Sequence, residues 1–119
     1  MSNHAAMLQI HEDDGLIEVR LMMDAIVDEA NIQSLDRELK AVIDDRERPL
    51  IVINFGNVRH LSSSALGTLI SFNSAIQDRE GQLRLAEING TILEVFKITK
   101  LDRIFVIEET AQDARASLR

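Results

Sequence analysis

A chain of 119 residues is long enough to bury one core and too short for two, and its 45% hydrophobic to 28% charged balance is that of a folded globular protein, not of a disordered tail or a membrane segment. Twenty acidic against thirteen basic residues leave a formal charge of −7, which repels nucleic-acid phosphates and anionic lipid surfaces, and with four Phe as the only aromatic residues there is no platform for stacking bases. The lack of cysteine excludes disulfides and thiolate metal or redox sites, and with no basic-then-apolar leader and no run of roughly 18 apolar residues the expected location is the cytoplasm, without a membrane span.

Residues 7–23 hold two apolar runs around Asp14-Gly15, a dipeptide suited to the positive φ angles of a tight hairpin turn. Leu8 and Ile10 alternate before it and Ile17, Val19 and Leu21 after it, so the pattern predicts a β-hairpin with one buried face on each strand. The period then changes: Ile32, Leu35, Leu39, Val42 and Ile43 form one stripe of a helix over 29–45. Pro49 opens Leu50-Ile-Val-Ile-Asn-Phe55, a β-branched run typical of a strand buried on both faces.

From Ser63 to Glu80 the positions Leu66, Leu69, Ile70, Asn73 and Ile76 return at helical spacing, with Gly81 as the expected terminator. Residues 82–88 alternate as a strand. Thr91 and Glu94 stand at capping-box spacing before a short helix through Phe96, residues 104–107 read as a last strand, and Thr110 with Asp113 repeats the capping pattern before a final helix ending in Arg115 and Arg119. The order β-β-α-β-α-β-α-β-α describes one α/β domain over 1–119, its sheet mixed, of four or five strands, with helices packed mainly on one face and 29–45 beside 63–80.

The segment with chemical potential joins the buried strand to the second long helix. Ser62, Ser63 and Ser64 sit where that helix begins, beside its free N–H groups, with Ser62 as the expected N-cap and Ser63 as the first helical residue. A phosphate on Ser63 would add about −1.5 to −2 charges, tolerable at a helix N-terminus and unfavourable at any interface that buries the hydroxyl. A serine run at a helix start also needs no function, since serine is among the commonest N-caps. His4, His11 and His60 fall on separate elements without ligand spacing, so no metal or other cofactor is expected. The serines lack a glycine elbow and a His/Asp pair, and the glycines form no phosphate loop, so no catalytic residue is assigned and the chain is expected not to be an enzyme.

Taken together, the buried strand, Val58-Arg-His-Leu-Ser-Ser-Ser-Ala-Leu-Gly67, Gly81-Gln-Leu-Arg-Leu-Ala-Glu-Ile88 and Val95-Phe-Lys-Ile-Thr-Lys-Leu-Asp-Arg-Ile-Phe105 resemble the STAS domain family of anti-sigma-factor antagonists. The resemblance covers nearly the whole chain and is strongest over 50–107. Family members read Asp-Ser-Ser/Thr-Gly-Leu-Gly in this loop, the first serine being phosphorylated by the anti-sigma-factor kinase. Registering Leu66-Gly67 on that pattern puts Ser62 at the Asp, Ser63 at the acceptor, Ser64 at the next hydroxyl and Ala65 at the Gly.

The resemblance implies a partner-switching regulator of transcription that docks on an anti-sigma factor of the serine-kinase type through His60, Ser62, Ser63, Ser64 and Ala65. It is switched at Ser63, with Ser62 and Ser64 as alternates, and is reset by a Ser/Thr phosphatase. The expected state is a monomer or weak dimer. The alternatives are a STAS scaffold or sensor-complex subunit that is not phosphorylated, and a small-molecule-binding module. Phe96, Leu101 and Phe105 are expected in the core.

Overall fold

The computed structural model describes residues 7–118. Strands β1 (Leu8–Asp13) and β2 (Leu16–Leu21) pair antiparallel across Asp14 and Gly15, whose φ angles of 56° and 82° suit the two-residue turn that Asp-Gly favours. Only β2 has the expected buried face. Five of the six β1 residues are exposed, and Ile10 keeps 52% of its surface in solvent, because β1 is the outer strand.

A two-residue strand, β3 (Ala25–Ile26), precedes α1 (Glu29–Ile43), which Asp28 caps by accepting the Asn31 N–H at 2.8 Å. The chain continues through β4 (Leu50–Asn54), the two-residue β5 (His60–Leu61), α2 (Ser63–Asp78), β6 (Gln82–Ala86), α3 (Gly90–Ile98), a 3-10 turn (Leu101–Arg103), β7 (Val106–Ile107) and α4 (Ala111–Ser117). The main sheet has five strands in the order β1-β2-β4-β6-β7, antiparallel only between β1 and β2. β3 and β5 form a separate parallel pair.

The two faces of β4 divide the interior. Ile51 and Ile53 join Ile17, Val19, Leu21, Leu83 and Leu85 under the apolar stripes of α1, α2 and α3, whereas Val52 lies with Leu16 and Ala86 under Ala111, Ala114 and Leu118 of α4. Three helices thus share one face and the fourth covers part of the other. The α2 stripe consists of Ala65, Leu66, Leu69, Phe72, Asn73 and Ile76; Ile70, expected in it, turns outward. Phe96 meets Phe55 and Phe105 edge-on, with ring centroids 6.5 and 5.8 Å away.

Two terminators differ from expectation. Asn89, not Thr91, caps α3, its side-chain oxygen accepting the Ile92 N–H at 2.9 Å; Asn89 directly follows the 82–88 segment, which stops pairing at Ala86. At the end of α2 the left-handed residue is Glu80, with φ 59°, and its N–H donates to Gln77 O while that of Gly81 donates to Ile76 O, both at 2.9 Å.

Gly81 is required for a different reason. A Cβ there would stand 2.4 Å from the Pro49 carbonyl oxygen, which accepts the Gln82 N–H at 2.8 Å. Gly81→Ala is expected to lower stability by about 1–3 kcal/mol, as overpacking against backbone does. Urea denaturation reads it, and an unchanged midpoint would refute the contact.

Candidate functional site: the Ser63 loop

The loop that carries the serines is fixed by the residues before it. Asn54, at the end of β4, accepts the Gly56 N–H at 2.8 Å; Asn57 donates to Leu21 O at 3.2 Å; Asn89 donates from its side chain to Val58 O at 3.0 Å. Val58 is buried, which turns the chain back toward β3. There Arg59 and His60 donate their N–H groups to Asp24 O at 2.7 and 3.0 Å, and Ser62 N–H donates to Ile26 O at 3.1 Å. Three asparagine side chains and a short parallel pairing therefore hold the start of α2 in one place.

Ser62 occupies the N-cap with φ −82° and ψ 165°, its Oγ accepting the Ala65 N–H at 3.2 Å. Ser63 is the first residue of α2, as expected. Ser63 and Ser64 are exposed and neither hydroxyl makes a hydrogen bond among the described residues, whereas Ser62 is half-buried and Ala65 has no exposed surface. The five residues singled out from the sequence lie within one six-residue stretch but are unequal: His60, Ser63 and Ser64 can be touched from outside, Ser62 builds the helix start, and Ala65 belongs to the core. Replacing Ser62 by Ala is expected to cost about 1 kcal/mol of stability, the usual loss for a serine cap. Ser63→Ala is expected to cost far less, and equal losses in thermal melts would contradict the cap assignment.

A feature not drawn from the sequence surrounds these serines. From Ser63 through Gln77 there is no charged side chain, in a protein with 28% charged residues. The outward side of α2 presents Ser63, Gly67, Ile70, Ser71 and Ser74, and Val27, half exposed, follows the residue to which Ser62 is bonded. A helix side without charge that exposes an aliphatic side chain is the composition of an interface core. Ser64, Thr68 and Ser71 also form one wall of a groove of about 760 Å³ whose other wall is α1, with Asp36, Arg37 and Lys40.

Among the described residues no group of three His, Asp or Glu side chains could hold a metal ion; His11 and His60 lie on β1 and β5, and His4 lies outside the described residues. No helix among them is long and apolar enough to cross a membrane. On α1, away from the loop, Glu38 buries one carboxylate oxygen that has no hydrogen-bond partner among the described residues, and burial pushes its carboxyl above the usual value, with Arg37 opposing. A folded-state value above the unfolded one favours folding below the unfolded value, and that contribution is lost as pH rises through the folded one. Glu38→Gln is therefore expected to raise the melting temperature at neutral pH, with the gain shrinking as pH falls through the carboxylate range. A gain independent of pH would contradict this cause.

Residues 7–114 match the STAS domain family, and the chain belongs to it. It is 28% identical over 112 residues to BtrV of Bordetella bronchiseptica, whose name assigns it provisionally as an anti-sigma factor antagonist; the match covers 94% of each chain. An anti-sigma factor antagonist from Mycobacterium paratuberculosis shares the fold at TM-score 0.81 and 22% identity, over 94% of this chain and 92% of that one. The Bacillus cell fate determinant SpoIIAA, solved in a phosphorylated form, shares it at TM-score 0.68 and 17% identity, over 94% of this chain and 99% of that one.

Proposed function

We propose that this chain is an anti-sigma-factor antagonist of the cytoplasm that acts by binding and not by catalysis. Unphosphorylated, it docks the Ser63 loop and the uncharged side of α2 onto an anti-sigma factor of the serine-kinase type and so releases sigma. Phosphorylation of Ser63 by that partner ends the contact, and a Ser/Thr phosphatase restores it. The observation that carries this reading is the division of labour between neighbours: Ser62 caps α2, so Ser63 is exposed and free of structural duty on a loop held from three sides.

The physical consequence is a switch that leaves the fold alone. A phosphate at the first helical residue meets the positive end of the α2 dipole and the unpaired N–H groups there. Buried against a partner on the uncharged side of α2, the same group finds no counter-ion on that helix and must be desolvated. The likeness to BtrV supports the choice of partner class, and the existence of SpoIIAA in phosphorylated and unphosphorylated forms supports a phosphorylation switch on this fold. Where this chain has Ser62, the family pattern has an aspartate; the serine hydroxyl supplies the cap without the charge.

The test is titration of the purified chain against an anti-sigma factor bound to its sigma, the pair having been identified by pull-down. The expected result is stoichiometric release of sigma by the unphosphorylated chain. A complex that forms without releasing sigma would favour a STAS scaffold that is not a switch.

A further inference from the structure

The two edges of the main sheet are treated differently. β7 is only two residues long, a common way of denying a neighbour a template, whereas β1 runs six residues with no proline, no lysine and a continuous register against β2. Met22 N–H donates to Met7 O at 2.9 Å, which fixes the phase of the ladder: alternate residues Met7, Gln9 and His11 bond toward β2. Leu8, Ile10 and Glu12 therefore turn their backbone N–H and C=O groups outward, where no backbone partner stands among the described residues. Ile10, on the helix-covered face opposite Val19, is half exposed at the rim of the main core.

We propose that β1 is a self-association edge, pairing antiparallel with β1 of a second copy about a twofold axis through Ile10. The register follows from the side chains. With Ile10 opposite Ile10, Leu8 faces Glu12 and Gln9 faces His11 of the other copy, so every residue keeps the face it already occupies and no like charges stand opposite. Leu8, Ile10 and Glu12 then exchange both backbone hydrogen bonds with their opposites, and the two Ile10 side chains close the core rim.

The acidic ends of the strands lie apart. The two Glu12 residues stand four positions from each other, about 14 Å at the strand rise, beyond the roughly 8–10 Å screening length. Each Glu12 is also already held by Arg46 at 2.8 and 3.0 Å. A seam of this length buries less than the roughly 1,200 Å² of a stable interface, so the dimer is weak and concentration-dependent. It leaves both Ser63 loops open, since β2 separates β1 from β4 and the loop that follows it, and one dimer presents two docking sites.

Sedimentation equilibrium from about 5 to about 500 µM, the range for so small an interface, tests this. The mass of the wild-type chain is expected to rise from 13.4 kDa toward twice that value. Ile10→Lys, which puts two cations on the axis, and Ile10→Pro, which removes the Ile side chain and an outward N–H but no N–H bonded to β2, are each expected to stay at 13.4 kDa with unchanged circular dichroism. If Ile10→Pro does not fold, Ile10→Lys decides alone, since its side chain lies at the exposed rim. A wild-type chain that stays monomeric at the highest concentration, or a folded variant that associates like wild type, would overturn the proposal.

Discussion

Ser63→Asp is expected to bind the anti-sigma factor about 100-fold more weakly than the wild-type chain, with its melting temperature unchanged or slightly raised. The loss corresponds to about 2.7 kcal/mol, within the range for burying an ionised or polar group that finds no partner. α2 itself offers no compensation, because it carries no charge before Asp78 and the large side chain it exposes, Ile70, is aliphatic. The fold should not suffer, since Ser62 and not Ser63 closes the first turn, and a carboxylate there meets a favourable dipole. Ser63→Ala is expected to bind like the unphosphorylated wild type. Affinity and melting temperature measured on the same three proteins separate a lost interface from a lost fold; an Asp variant that stays folded and binds at full strength would move the switch to Ser64.

Phe96→Ala is expected to lower stability by about 4 kcal/mol, and the melting temperature by about 15 °C for a domain of this size. Phe96 has no exposed surface and joins α3 to both the end of β4, through Phe55, and the segment before β7, through Phe105. Removing it opens a cavity at that junction and deletes two edge-on ring contacts that the remaining aliphatic core cannot replace. Such a loss is a large share of the roughly 5–15 kcal/mol that holds a domain together. A stability loss from urea denaturation below about a third of the expected ~4 kcal/mol, at an unchanged slope, would show that the cavity collapses.

The long elements were legible because their periods are carried by many residues. The α1 stripe and the β4 run each repeat their pattern over enough positions that only one or two boundary residues shifted, and the Asp-Gly turn and the Thr110 cap formed as read. What escaped was tertiary or too short to have a period. β3 and β5 are two residues each and exist because Asp24 and Ile26 accept N–H groups from the Ser63 loop. Gly81 read as a helix terminator, yet its constraint comes from Pro49, far away in sequence.

The same limit applied to the site. Ser62 as cap and Ser63 as first helical residue followed from local chemistry, because capping is decided within four residues. That Ala65 is wholly buried and Ile70 turned outward depended on how α2 sits on the sheet. The charge-free run from Ser63 to Gln77 was visible in the sequence and would have marked the outer side of α2, but it breaks no apolar period and so reads as ordinary helix.

The most direct test of the switch is intact-mass analysis of the wild-type chain and of Ser63→Ala after incubation with the anti-sigma factor and ATP. A switch at Ser63 requires one added phosphate on the wild-type chain and none on Ser63→Ala. No addition to the wild type, or the same addition on Ser63→Ala, would contradict it.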